Sequence, residues 1–112
     1  MLRSCVVVAL LVCSCKAIHE EPRWIGLAEF QIRNTLGEPS SEHILSLASG
    51  SRLHEYQSGL FDHCPDAPGR SVDVKELRWN RLLDTAVVWL VRDSDGDWMV
   101  IETLVWSRAV RF

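Results

Sequence analysis

Of the chain's 112 residues, the longest clean apolar run is Val6 to Val12, seven residues. A spanning helix needs roughly 20 apolar residues, so a transmembrane anchor is not expected. Basic residues are neither numerous nor clustered: 12 Lys and Arg face 15 Asp and Glu, with no basic stripe to neutralise phosphates. Nucleic acid is therefore not an expected partner. The chain also lacks a G-x-S-x-G elbow, a histidine pair at i, i+4 and any paired-cysteine spacing, which argues against hydrolase chemistry and a structural zinc site. No catalytic residue, cofactor-binding residue, metal ligand or small-molecule substrate is assigned. Cysteine is scarce where a fold could use it. Cys5, Cys13 and Cys15 crowd the first fifteen positions, and Cys64 stands alone in the rest.

What is present begins with that crowding. Arg3, the apolar run and the small residues Cys13, Ser14 and Cys15 have the layout of a secretory signal. Val12-Cys13-Ser14-Cys15 resembles the bacterial lipobox, which implies cleavage before Cys15 and lipidation (palmitate among the acyl chains) of that residue. The competing site, Cys15-Lys16-Ala17, would release a soluble chain beginning at Ile18. Residues 1–14 thus read as a signal peptide, 15–23 as a tether, and 24–112 as a single domain. Loss of residues 1–14 leaves 98 residues with 11 basic and 15 acidic side chains, enough for one modest core. Cys64 then has no internal partner, so no disulfide is expected within the domain. Lys16 after the candidate anchor, in place of an aspartate, favours the outer membrane by resemblance to enterobacterial sorting.

Within "GLAEFQIRNTLGEP", residues 26 to 39, Ala28, Ile32 and Leu36 fall on one helical face. Gly37 and Pro39 then supply a stop, glycine by taking a positive φ and proline by ending the turn. No Ser, Thr, Asp or Asn precedes Ala28 as an N-cap. "EHILSLAS" and "RLHEYQS" around Gly50-Ser51 read as a hairpin, and residues 58–73, with two prolines, as an exposed loop. "DVKELRWNRLL" reads as a strand in preference to a short helix, "TAVVWLV" as a central strand covered on both faces, and "DWMVIETLVWS" as its partner after the turn "RDSDG". The expected fold is α+β: one or two N-terminal helices on a roughly four-stranded antiparallel sheet, a two-layer sandwich.

Two motifs fail on spacing. A calcium loop starting at Asp93 would need glycine at its sixth position and glutamate at its twelfth, where Trp98 and Leu104 stand. His63-Cys64 has no further ligand at zinc spacing. Strict alternation puts Trp98, Val100, Glu102, Leu104 and Trp106 on one strand face, a core face or an aromatic contact surface. Trp89 is assigned to the core, and Phe61 and His63 to a contact loop.

Gly26, Leu27, Gln31, Ile32, Leu36, Gly37 and Pro39 resemble the pattern G-M-T-x-x-Q-V-x-x-x-L-G-x-P of the small outer-membrane lipoproteins called SmpA, OmlA or BamE. "RLHEY" and "VVWLVRDSDGDWMVIE" are similar to that family's later strands more loosely. The resemblance implies a helix layer on a sheet, a lipid-anchored place on the periplasmic face of the outer membrane, and an accessory role in barrel assembly or envelope integrity through protein contacts. The same fold type resembles that of β-lactamase-inhibitor proteins, so a soluble periplasmic inhibitor or immunity protein is the alternative expectation.

Overall fold

A computed structural model describes residues 18–65 and 69–110. The elements are β1 (Ile18–His19), a 3-10 turn (Pro22–Trp24), α1 (Glu29–Leu36), β2 (Ser41–Ala48), a 3-10 helix (Glu55–His63), β3 (Ser71–Asn80), β4 (Asp84–Arg92) and β5 (Trp98–Ser107). The five strands form one antiparallel sheet in the order β1-β5-β4-β3-β2. The α+β class stands, with one strand more than expected. Ile18 and His19, inside the stretch read as a tether, supply it by pairing with Trp106 and Val105.

β4 holds the centre of the sheet because it alone is apolar on both sides: Ala86 to Leu90 are all buried. Ala86, Val88 and Leu90 meet Ile32 of α1, Trp24, Leu77 and Trp79 on one face. Val87 and Trp89 meet Leu47, Leu60, Val74 and Trp106 on the other. α1 therefore covers one face, while the 3-10 helix covers the other with Tyr56 and Leu60. Ile32 is fully buried as the face of the helix requires. In place of a capping side chain at Ala28, Gln31 Oε1 accepts the Ala28 N–H at 2.8 Å. Gly37 ends the helix at φ 83° and ψ −169°, a region essentially reserved for glycine, and its carbonyl accepts Trp79 Nε1–H at 2.9 Å.

Two expectations are overturned. "RLHEYQS" is no strand: β2 pairs instead with β3 over eight consecutive positions, Ser41↔Arg78 to Ala48↔Ser71. Residues 55–63 coil because Gln57 Oε1 accepts the His54 N–H at 3.1 Å and Gln57 and Leu60 turn inward together, a spacing of three that no strand can match. The loop read over 58–73 consequently shrinks, since its first part belongs to this helix and Ser71 onward to β3. The tryptophan face is split as well. The register slips between Trp89↔Glu102 and Leu90↔Val100, so Ile101 is an extra residue and the parity of β5 changes there. Trp98 and Val100 join the α1 side, Leu104 and Trp106 the 3-10 side. Trp24, Trp79, Trp89 and Trp106 are all buried, so these indoles are core and offer no aromatic contact surface.

Candidate functional site

The most elaborate polar construction lies under the 3-10 helix, around Glu76 of β3. Its side chain is fully buried, and its carboxylate accepts four hydrogen bonds. Gln57 Nε2 and Trp89 Nε1 each donate to Oε1 at 2.9 Å. His43 Nε2, at 2.8 Å, and Tyr56 OH, at 3.4 Å, donate to Oε2. A buried carboxylate is tolerated when every lone pair is used, and here the donors come from β2, the 3-10 helix and β4. Glu76 thereby stitches three elements to β3. Tyr56 extends the assembly: its ring stacks on His54 at 5.7 Å and packs against Trp106 at 5.6 Å. The Arg78 guanidinium lies 5.1 Å from the Tyr56 ring centre and 5.7 Å from that of Trp106. Burial and the neighbouring Glu76 carboxylate push the Tyr56 hydroxyl above its ordinary pKa of 10.0.

Above this floor opens a cleft of about 410 Å³ lined by His43, Leu45, Arg52, His54, Tyr56 and Gln57 among others. The cationic or protonatable groups at its mouth are Arg52, His43 and His54, while the acidic group beneath is already satisfied. An imidazole held by a carboxylate is one component of acid–base machinery. The described partner of His43 is Glu76, and no hydroxyl or thiol nucleophile donates to it among the described residues.

The cleft borders β2, which among the described residues is an edge strand of the sheet. Ala48 directs its N–H to Ser51 Oγ at 2.8 Å and its C=O to the Ser51 N–H at 3.0 Å, away from β3. By the two-residue period of a strand, Ser46, Ile44 and Glu42 point their backbone groups outward in the same way. Natural edges are usually protected by lysine, proline or a bulge. β2 carries none of these: its sequence is SEHILSLA, its register with β3 is unbroken, and Ile44 at its middle is 55% exposed.

The opposite edge is closed. Gly26 N–H donates to Val100 O at 2.9 Å, Val100 N–H to Leu27 O at 2.9 Å, and Ala28 bridges to Met99. Farther along, β1 covers Val105 and Trp106, and Glu21 N–H donates to Thr103 Oγ1 at 2.8 Å. On the α1 side, Arg33 reaches Glu29, Glu38 and Glu42 at 2.9, 2.6 and 3.0 Å. Lys75 meets Glu29 at 2.7 Å. Burial alone would raise the Glu29 carboxyl, but the hydrogen bonds from Lys75 and Arg33 outweigh it and hold the pKa below the ordinary 4.5.

The residues singled out by sequence fall as follows. Cys15, the candidate lipidation site, lies outside the described residues, as do the signal peptide and positions 66–68 of the contact loop. Phe61 is exposed on the 3-10 helix, whereas His63 is engaged with Glu102 at 3.0 Å. Trp89 is in the core as assigned. Cys64 is half-buried against the apolar cluster and free. In the 93–97 turn, Asp93 Oδ1 accepts the N–H groups of Asp95 and Asp97 at 2.9 and 3.0 Å, which accounts for the aspartates as turn formers. Among the described residues no group of three His, Cys, Asp or Glu stands close enough to hold a metal ion, and no helix is long and apolar enough to cross a membrane. Glu76 escaped notice because a glutamate in a strand normally marks a solvent face. Its signal was the flanking order Val74-Glu76-Arg78 opposite Lys75-Leu77-Trp79, which puts one acid on an inward face. No protein-family model matches the chain, and neither the curated proteins nor the solved structures include a match to it.

Proposed function

We propose that this protein is a non-catalytic envelope lipoprotein, anchored through Cys15 at the periplasmic face of the outer membrane, that works by adding an extended segment of a partner protein to its β2 edge. The observation that carries the reading is the contrast between an edge strand that no described strand covers, tied off by Ser51 at Ala48 alone, and an opposite edge closed by the chain's own N-terminal segment. Strand addition takes its affinity from main-chain hydrogen bonds and its selectivity from pockets for alternate side chains. The cleft beside β2 supplies such a pocket, and Arg52, His43 and His54 suit a partner segment with an acidic side chain. An accessory role in outer-membrane assembly or integrity follows from the resemblance of the helix segment and the lipobox. An inhibitor or immunity protein would use the same edge on a single soluble enzyme.

Mild crosslinking followed by capture separates these uses. An assembly accessory brings down outer-membrane barrel or lipoprotein partners, and an inhibitor brings down one soluble enzyme. Ile44→Pro removes an outward N–H and no ladder bond, and edge strands accept proline. The variant is expected to keep its circular dichroism and lose capture. Full capture by the folded variant would eliminate strand addition.

A further inference from the structure

The turn joining β3 to β4 exposes its two leucines almost completely: Leu82 is 82% and Leu83 79% accessible, the highest values among the large exposed apolar side chains. Nothing forces leucine into a four-residue turn, where Asn, Asp and Gly are the usual choices. Several polar groups around the pair have partners within the chain. Arg81 closes a forked ion pair on Asp84, the Arg81 N–H donates to Asp84 O at 2.9 Å, and Arg108 donates to Leu82 O at 3.1 Å. Set at the headgroup interface, where Arg81, Asp84 and Arg108 can stay in contact with water, such a turn would transfer two leucines out of water.

Its position in the sheet says which medium. Ile18, Trp106 and Thr85 lie side by side on β1, β5 and β4, so with strands about 5 Å apart Ile18 is roughly 10 Å from the start of β4. β1 runs antiparallel to β5, and the chain therefore enters the sheet from the end where β5 finishes, the same end that carries Leu82, Leu83 and Arg108. Cys15 precedes Ile18 by three residues, a reach of about 10 Å at most. A lipid on Cys15 would hold this end of the sheet against the bilayer.

We infer that the Leu82-Leu83 turn is a second membrane contact, inserted at the interface of the leaflet that holds the anchor. The inference rests on the lipoprotein reading above. It orients the domain with its strands upright on the membrane, so that the β2 edge is presented to partners beside the bilayer instead of facing it.

The test uses the full chain purified from a bacterial envelope and reconstituted in vesicles of phosphatidylethanolamine and phosphatidylglycerol, with Leu82→Trp as the reporter and the unsubstituted chain as background. The substitution is at a solvent-exposed turn and leaves the core untouched. On a chain whose Cys15 carries acyl mass, the added indole should emit to the blue of a water-exposed one and be quenched by phospholipids brominated near the headgroup end of the acyl chains. Water-like emission without quenching on an acylated chain would overturn the second contact and leave the anchor standing. Absence of acyl mass on Cys15 would remove the anchor and this inference with it.

Discussion

The two edges of the sheet are built on opposite plans. At β5 the chain spends residues 18–28 on closing the edge, with backbone bonds to Val100, a short strand against Val105 and Trp106, and a bond to Thr103. At β2 closure among the described residues is limited to Ser51, which satisfies the outward groups of Ala48 at the strand's end. The effort goes into the neighbouring face, where four donors converge on one buried carboxylate and hold a 3-10 helix open beside the strand. An unpaired edge is a hazard for aggregation, and the fold removes that hazard far more fully at β5 than at β2.

The largest blow to that contrast is the loss of Glu76. Glu76→Ala leaves the buried donors of Gln57 and Trp89 without an acceptor, and at about 1 to 3 kcal/mol for each orphaned donor it should remove a large part of the roughly 5 to 15 kcal/mol that holds a small domain together, as read in urea titrations. Glu76→Gln keeps the shape and one acceptor oxygen, and should cost clearly less. A Glu76→Ala variant as stable as the parent would mean that the cleft is not held by this carboxylate.

Smaller effects separate the two faces by pH. Glu29 has a folded pKa below its unfolded value, so the stability it lends is present above about pH 4.5 and is lost as pH falls through the lowered folded value. Tyr56 has a raised folded pKa, so its contribution is present below about pH 10 and disappears as pH climbs through the raised value. Denaturation midpoints followed against pH should accordingly have a shallower acid limb in Glu29→Gln and a shallower alkaline limb in Tyr56→Phe, each variant keeping the parent's other limb. A change in both limbs in either variant would show the two faces to be coupled.

Much of this architecture is written locally and was legible. The stop at Gly37, the apolar run that makes β4 central and the strand character of Asp73 to Asn80 each depend on a few adjacent residues. What could not be read depends on long-range pairing. Leu53 and Tyr56 fit a strand as well as a coil until Gln57 and Leu60 are seen to share an inward face. Strict alternation along β5 is broken by one extra residue at Ile101, which no composition signals. The site suffered most, because Glu76 acquires meaning only once His43, Tyr56, Gln57 and Trp89 arrive from other segments. Trp24, Trp79, Trp89 and Trp106, attractive as a contact surface in one dimension, are the packing of the core, and Trp98 is half-buried against it.

The central claim is that partners meet the open edge and not the closed one. Two isoleucines of similar exposure report on it: Ile44 at the middle of β2, 55% accessible, and Ile25 in the segment that closes β5, 46% accessible. A photo-crosslinking amino acid placed at each position in turn, with irradiation of the intact envelope, should yield a discrete protein adduct at position 44 and none at position 25. Adducts confined to position 25, or equal at both, would contradict the account.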